Sequence, residues 1–198
     1  MREVATPHGP ARVHLEPVDG AWAGLVLGHG AGGGVQAPDL VAAARAARAQ
    51  DVSVALVEQP YRVAGRRSPA PARQLDAAWI AVVEALHERE LRRATLFVGG
   101  RSAGARVACR TAAAVGAAGV LCLAFPVRPP GRPDAPDRLD ELEAVEVPTL
   151  VVQGVRDPFG MPPDGPRRTV VQVPGDHSLR SDPAAVEDAV ASWLAVLR

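Results

Sequence analysis

Residues 95–115 read TLFVGGRSAGARVACRTAAAV and hold three patterns in succession. The first four residues form an apolar run typical of a buried strand, and the alanine-rich residues 102–115 favour a helix. Between them, residues 100–104 match the pattern G-x-S-x-G around Ser102. In a strand–turn–helix setting, this pattern holds a serine on a strained turn and lifts its hydroxyl to the carboxyl edge of the sheet. We therefore predict that Ser102 is a nucleophile.

Two other interpretations of this pentapeptide are weaker. A chance match would not usually bring a strand before the serine and a helix after it. A phosphate-binding turn would show the glycine spacing of a Walker or dinucleotide-binding loop, and neither spacing occurs around Ser102.

Outward from this motif, apolar runs alternate with helical patterns. Strands are predicted at residues 23–27, 52–57, 95–98, 119–125, 149–152 and 169–173. Helices are predicted at residues 39–50, 73–90, 102–115 and 183–197, with a short acidic helix near 138–143. Apolar strands separated by helices indicate a parallel sheet covered on both faces. The prediction is one α/β domain over residues 1–198, a three-layer α/β/α sandwich with a mostly parallel central sheet, to which residues up to 18 add one or two edge strands.

Composition limits the classes of function. The chain has 198 residues, with 22 basic residues balanced by 22 acidic ones, so no net field attracts nucleic acid or an acidic membrane surface. Every basic residue is an arginine, which indicates the codon bias of a GC-rich genome. Cys109 and Cys122 fall in apolar segments and are expected to be buried, reduced thiols. Without an apolar leader or a long apolar run, the sequence predicts a soluble cytoplasmic protein that binds neither nucleic acid nor membrane.

A serine nucleophile needs a base, and His177 is the best candidate among the five histidines. It lies in the loop PGDHSL directly after the last predicted strand, where the carboxyl edge of a parallel sheet brings it towards Ser102. Surface or packing roles suffice for His8, His14 and His87.

The carboxylate that orients this histidine is expected between the serine and the histidine in chain order. Asp157 fits, because it follows the strand at residues 149–152 and precedes a proline that stiffens the turn. Asp164 is the nearest rival, Asp176 fits a turn residue better, and an ordinary Asp-Pro turn is the alternative for Asp157 itself.

The glycine-rich segment GHGAGGG at residues 28–34 follows the first central strand. Such a turn lets backbone N–H groups approach a ligand closely and bind an oxyanion. The predicted oxyanion hole combines the N–H groups of Ala31 and Ala103, with Gly32 as the next candidate. His29 is expected to be structural, since a base is already assigned.

Together, the GHGAGG turn, the GRSAG elbow, the RDPFG acid loop and the GDHSL histidine loop resemble the α/β-hydrolase superfamily in kind and order. The sequences of these motifs are most similar to those of a compact branch related to dienelactone hydrolases. The resemblance implies an α/β-hydrolase fold, a Ser102–Asp157–His177 triad, no cofactor and no metal. It implies no particular substrate. Dienelactone hydrolases proper use a cysteine nucleophile, so Ser102 disfavours that activity.

Only about twenty residues separate Phe125 from Pro148, too few for a large helical cap, so a minimal lid and an open site for a small-molecule acyl substrate are expected. The leading hypothesis is a hydrolase of carboxylic esters or thioesters acting through an acyl-enzyme. A non-catalytic interaction protein and an acyltransferase are the alternatives, and the sequence leaves the oligomeric state open.

Four arginines are candidates for binding an anionic substrate group: Arg62, Arg66, Arg67 and Arg101. This interpretation requires the loop after the second predicted strand to fold over the elbow. The alternatives are solvent-exposed side chains for the loop arginines and, for Arg101, bonds to carbonyl groups of a neighbouring loop.

Overall fold

An eight-stranded sheet runs through the computed structural model, which describes residues 1–92, 94–132 and 134–198. The strands are β1 (Arg2–Val4), β2 (Ala11–Glu16), β3 (Ala23–Gly28), β4 (Val52–Glu58), β5 (Thr95–Arg101), β6 (Gly119–Leu123), β7 (Thr149–Gly154) and β8 (Arg168–Val173). Their spatial order is β1-β2-β4-β3-β5-β6-β7-β8. From β4 to β8 all neighbouring strands are parallel.

The N-terminal segment supplies two strands at one edge of the sheet, where the sequence predicts one or two. β1 pairs antiparallel with β2, and β2 pairs antiparallel with β4. The sheet is therefore mostly parallel, with its antiparallel part confined to one edge.

Helices cover both faces of the sheet. They are α1 (Pro38–Ala49), α2 (Pro60–Val63), α3 (Ala72–His87), α4 (Ala103–Thr111), α5 (Leu139–Glu143) and α6 (Pro183–Leu197). α1 packs beside α6 on one face, and α3 packs beside α4 on the other. This is the predicted three-layer sandwich. Among the residues that the structure describes, no helix is long and apolar enough to cross a membrane.

Three helical segments differ from the sequence prediction, and one of them is α3, which ends at His87 instead of residue 90. α4 ends at Thr111 instead of residue 115, and residues 112–116 form turns that end at Gly116, whose φ is 63°. The segment after β4 was predicted to be a loop, yet it begins with the single-turn helix α2, in which Pro60 occupies a first-turn position that favours proline.

The central strands are apolar throughout because both of their faces are buried. Along β5, Leu96 and Val98 pack into the core under α3 and α4, whereas Phe97 packs into the core under α1 and α6. Cys109 and Cys122 lie in the first of these cores as free, buried thiols, with their Sγ atoms 3.5 Å apart. The parallel strands also bring the loops after β3, β5, β7 and β8 to the same edge of the sheet.

Candidate active site

Ser102 sits on the turn between β5 and α4, in a backbone conformation that serine rarely adopts. Its φ is 51° and its ψ is −108°, so the residue occupies a strained region with positive φ. The N–H of Ser102 donates to the carbonyl of Leu123 at 2.9 Å, which ties the turn to β6. The predicted strand–turn–helix setting of Ser102 is therefore present.

A close approach between the turn and β3 explains the glycine at position 104. A Cβ atom there would lie 2.4 Å from the carbonyl oxygen of Gly28 and 2.6 Å from its carbonyl carbon. Both atoms belong to the backbone of a central strand and cannot move aside without distorting the sheet. The first turn of α4 therefore packs directly on β3 only because residue 104 lacks a side chain.

We expect Gly104→Ala to lower the free energy of unfolding by about 3 kcal/mol, as overpacking of a rigid contact does. Urea denaturation followed by circular dichroism measures the change. Gly34→Ala is the matched control, since a Cβ at Gly34 meets no atom within 4 Å, and it should shift stability by no more than about 0.5 kcal/mol. Equal stability of both variants would show that the contact does not constrain the elbow.

Three side chains from separate loops form a chain of hydrogen bonds. The Nε2 atom of His177 lies 2.9 Å from Oγ of Ser102, and its Nδ1 atom lies 2.8 Å from Oδ2 of Asp157. With the proton of a neutral imidazole on Nδ1, the histidine donates to the carboxylate and accepts from the serine hydroxyl. This arrangement can take a proton from the serine and stabilise the imidazolium that results.

Asp157 is held as an acceptor by donors on both of its oxygens. Oδ2 accepts from Nε2 of Gln153 at 2.8 Å in addition to His177, and Oδ1 accepts from the N–H of Phe159 at 2.8 Å. The aspartate side chain is only 1% exposed. Gln153 also donates to the carbonyls of Phe125 and Gly160. This buried glutamine, which ties the acid loop to β6, was not singled out from the sequence.

Phe159 is a second residue that the sequence analysis missed. Its ring stacks on the imidazole of His177, with the ring centroids 4.1 Å apart and the planes inclined by 30°. The one available signal is its position two residues after Asp157 in the RDPFG loop. The hydrogen bonds hold the two ring nitrogens, and this stacking contact restrains one face of the imidazole.

Arg101 connects α1 to the histidine loop. Its Nε lies 2.8 Å from Oδ2 of the fully buried Asp39, and one terminal nitrogen donates to the carbonyl of His177 at 2.9 Å. Burial raises the pKa of Asp39, and the Arg101 guanidinium opposes that rise. Of the two roles considered for Arg101, the structure therefore favours the bond to a neighbouring loop.

His29 connects the glycine-rich loop to the end of β4. Its Nε2 accepts from the N–H of Gln59 at 3.1 Å, and its Nδ1 lies 2.8 Å from the carbonyl oxygen of Gly30. Burial lowers the pKa of His29, although the bond to Gly30 opposes this. Because Nε2 accepts from an N–H, the proton of the ring lies on Nδ1 and donates to Gly30. Since the Gly30 carbonyl and the Ala31 N–H share one peptide plane, this bond also orients the N–H of Ala31.

The other acidic candidates have local roles. Asp164 accepts from the N–H of Val170, and Asp176 accepts from the N–H and the hydroxyl of Ser178. Both carboxylates therefore stabilise turns. Among the described residues, no group of three or more His, Cys, Asp or Glu side chains is arranged to hold a metal ion.

A cavity of about 300 Å³ adjoins the serine. Ser102, Ala31 and Ala103 line one part of it, so the predicted oxyanion donors lie beside the predicted nucleophile. None of Arg62, Arg66, Arg67 and Arg101 belongs to its lining, and Arg66 instead lines a smaller cavity beside Gln59.

Comparison with protein families gives a match over most of the chain. The model of a family described as an alpha/beta hydrolase domain matches residues 21–183. No curated protein sequence matches the chain significantly.

Solved structures of the same architecture match over nearly their full length. A lidless serine hydrolase of the α/β class from Xanthomonas campestris is 21% identical, with a TM-score of 0.79, and the alignment covers 99% of this chain and 93% of that one. A dienelactone hydrolase from Anabaena variabilis is 17% identical, with a TM-score of 0.77 and coverage of 98% and 95%. Est1E from Butyrivibrio proteoclasticus is 13% identical, with a TM-score of 0.76 and coverage of 98% and 97%. At these identities the likeness concerns the fold, and it confirms the predicted α/β-hydrolase fold.

Proposed function

The chain belongs to the α/β-hydrolase family, and we propose that it is a serine hydrolase that cleaves carboxylic esters or thioesters through an acyl-enzyme. The observation that carries this proposal is the continuous chain of hydrogen bonds from Ser102 through His177 to Asp157, at 2.9 and 2.8 Å. The match to an alpha/beta hydrolase domain supports this proposal, and so does the likeness to solved structures that include a serine hydrolase.

In the proposed reaction, Oγ of Ser102 attacks the carbonyl carbon of the substrate while Nε2 of His177 takes the hydroxyl proton. The carbonyl oxygen becomes an oxyanion and receives hydrogen bonds from the N–H groups of Ala31 and Ala103. The N–H of Ala103 is available because it is the first in α4 and has no acceptor within the helix. His177 then returns the proton to the leaving alcohol or thiol, and the acyl group remains on Ser102.

Water completes the cycle by the same steps in reverse order. His177 takes a proton from a water molecule, the hydroxide attacks the acyl-enzyme, and the acid leaves as the proton returns to Ser102. The Asp157 carboxylate accepts from Nδ1 and stabilises the imidazolium.

The site favours small acyl groups. Between β6 and β7, the described residues form the five-residue helix α5 and no other helix, so no large cap covers Ser102. The adjoining cavity of about 300 Å³ lies at the lower end of the usual size of ligand pockets. Long acyl chains would therefore remain largely in contact with water.

Labelling by a fluorophosphonate probe tests the proposal, because the probe phosphonylates only a serine that an adjacent base activates. We expect the wild-type protein to be labelled and to release nitrophenol from nitrophenyl butyrate, and Ser102→Ala to do neither. Ser178→Ala is the matched control, since the Ser178 hydroxyl donates to the Asp176 carboxylate instead of a histidine, and it should be labelled and active like the wild type. A folded wild type that resists the probe would overturn the proposal and favour a non-catalytic interaction protein.

A further inference from the structure

The cavity beside Ser102 has a wall that contains three arginines. Arg106, Arg110 and Arg138 line it, and the rest of its described lining is uncharged. These three are not the arginines that the sequence indicated for substrate binding. A cavity that meets the nucleophile at one end and guanidinium groups along its wall is suited to a substrate with an anionic group.

The carboxylates behind this wall neutralise two of the three arginines. Arg106 forms a bidentate pair with Glu141 at 2.8 and 2.6 Å. Arg110 forms a bidentate pair with Asp76 at 2.9 and 2.6 Å, and also reaches Glu141 at 3.0 Å. Each of these two guanidinium groups is thus committed to acidic partners.

Arg138 is the exception. Its guanidinium donates to the carbonyl of Pro126 at 3.0 Å, and no carboxylate of the described residues lies within 4.0 Å of it. Burial lowers the pKa of Arg138, as does the nearby charge of Arg106, whereas Glu141 raises it. The wall therefore carries one uncompensated positive charge, which a ligand carboxylate would neutralise with charge-assisted hydrogen bonds.

The cationic wall leads away from the nucleophile along α4. Ser102, Arg106 and Arg110 are four residues apart and occupy successive turns of one helix face. At 1.5 Å per residue, the backbone of Arg106 lies about 6 Å further along the helix than that of Ser102. A short chain attached to the reacting carbonyl group has the reach to place a terminal carboxylate along this wall.

The orientation of the ester decides which part of it enters the cavity. The leaving group must face His177, which protonates it. Ala31 and Ala103, which would hold the oxyanion, line the cavity, as does Phe159, which stacks on His177. An ester with its acyl part in the cavity fulfils both requirements and places its acyl end beside the arginines.

We propose that the enzyme is selective for esters whose acyl chain ends in a carboxylate, that is, half-esters of short dicarboxylic acids, and that Arg138 binds this carboxylate. This inference rests on the proposed serine hydrolase function and adds the substrate class. Arg106 and Arg110, held by Glu141 and Asp76, form the rigid wall against which Arg138 presents its charge.

A matched pair of substrates tests the inference. The mono-nitrophenyl ester of hexanedioic acid and nitrophenyl hexanoate have acyl chains of the same length and differ in the terminal carboxylate. We expect the wild type to have the higher kcat/KM for the charged ester. Arg138→Gln should lower that value about 10- to 100-fold while changing that for the hexanoate far less, and Arg138→Lys should recover part of the loss.

Arg89→Gln is the control for net charge. It removes one positive charge from an exposed arginine just after α3, at the end of the sheet opposite Ser102. It should retain the wild-type ratio of the two kcat/KM values. A wild type without preference for the charged ester, or an Arg138→Gln variant that keeps the preference, would overturn the inference.

A binding measurement separates failure of this inference from failure of the proposed function. Ser102→Ala cannot turn over an ester, so calorimetry can compare its binding of the two nitrophenyl esters directly, of which only the hexanedioic ester carries a carboxylate. We expect tighter binding of the hexanedioic ester, and a loss of that difference on adding Arg138→Gln. Hydrolysis of nitrophenyl hexanoate by the wild type, with equal binding of the two esters to Ser102→Ala, would refute the carboxylate site and leave the proposed function intact.

Discussion

Replacing His177 by alanine is expected to lower kcat for nitrophenyl butyrate by about 10⁵- to 10⁶-fold. Nε2 of His177 lies 2.9 Å from Oγ of Ser102, so the variant removes the group that takes the serine proton and later protonates the leaving group. In the described part of the chain no other histidine is placed to replace it, since His29 is buried and bonded to Gln59 and Gly30. Release of nitrophenol at saturating substrate measures kcat.

The controls must separate loss of the base from loss of structure. The His177 side chain is only 17% exposed and stacks on Phe159, so circular dichroism should verify the fold of the variant. His87→Ala changes an exposed histidine at the end of α3 and should leave kcat within about twofold of the wild type. A decrease of less than 100-fold in His177→Ala would show that His177 is not the base.

Local patterns were sufficient to predict which side chains would meet. Ser102, Asp157 and His177 each follow closely on a predicted apolar strand, and in a parallel sheet the carboxyl ends of such strands share one edge. Chain order and strand type therefore bring together residues that are 75 and 20 positions apart. The sequence predicted this constellation without any distance information.

Contacts between loops could not be predicted in the same way. Gln153 bonds three partners in the β6 and acid loops, yet in the sequence it is only a polar residue at the end of an apolar strand. The pairing of Arg101 with Asp39 joins β5 to α1 across the top of the sheet. Such pairs depend on the three-dimensional course of the loops, which periodicity does not encode.

The same limit explains which arginines were considered for the substrate. Arg62, Arg66 and Arg67 were considered because the loop after β4 could fold over the elbow. That loop does reach the cavity through Pro69 and Ala70, but the three arginines do not line it. Arg106 and Arg110 follow Ser102 at helical spacing, so part of the cationic wall was detectable from the sequence. Arg138 was not, since it belongs to the segment that leads into α5 and meets α4 only in the folded chain.

Asp157→Asn is expected to lower kcat by about 10³- to 10⁴-fold while preserving the fold. The aspartate accepts on both oxygens, from Gln153 and His177 on Oδ2 and from the N–H of Phe159 on Oδ1. An asparagine has one oxygen and one NH₂ group, so either orientation brings two donors face to face. Nitrophenol release again measures kcat, and pre-steady-state kinetics shows whether acylation is the slowed step.

Both orientations of the asparagine impair the base, although by different routes. If the NH₂ group faces His177, it favours the tautomer with its proton on Nε2, which cannot accept from Ser102. If the oxygen faces His177, the imidazolium loses its charged partner and the NH₂ group opposes the N–H of Phe159. Asp164→Asn is the matched control, because the Asp164 carboxylate accepts from the N–H of Val170 in a turn, and this variant should retain kcat within about twofold. Equal activity of the two variants would remove Asp157 from the proposed triad. A large loss in Asp157→Asn alone would mean that the Asp157 carboxylate sets the tautomer of His177 and stabilises its positive charge.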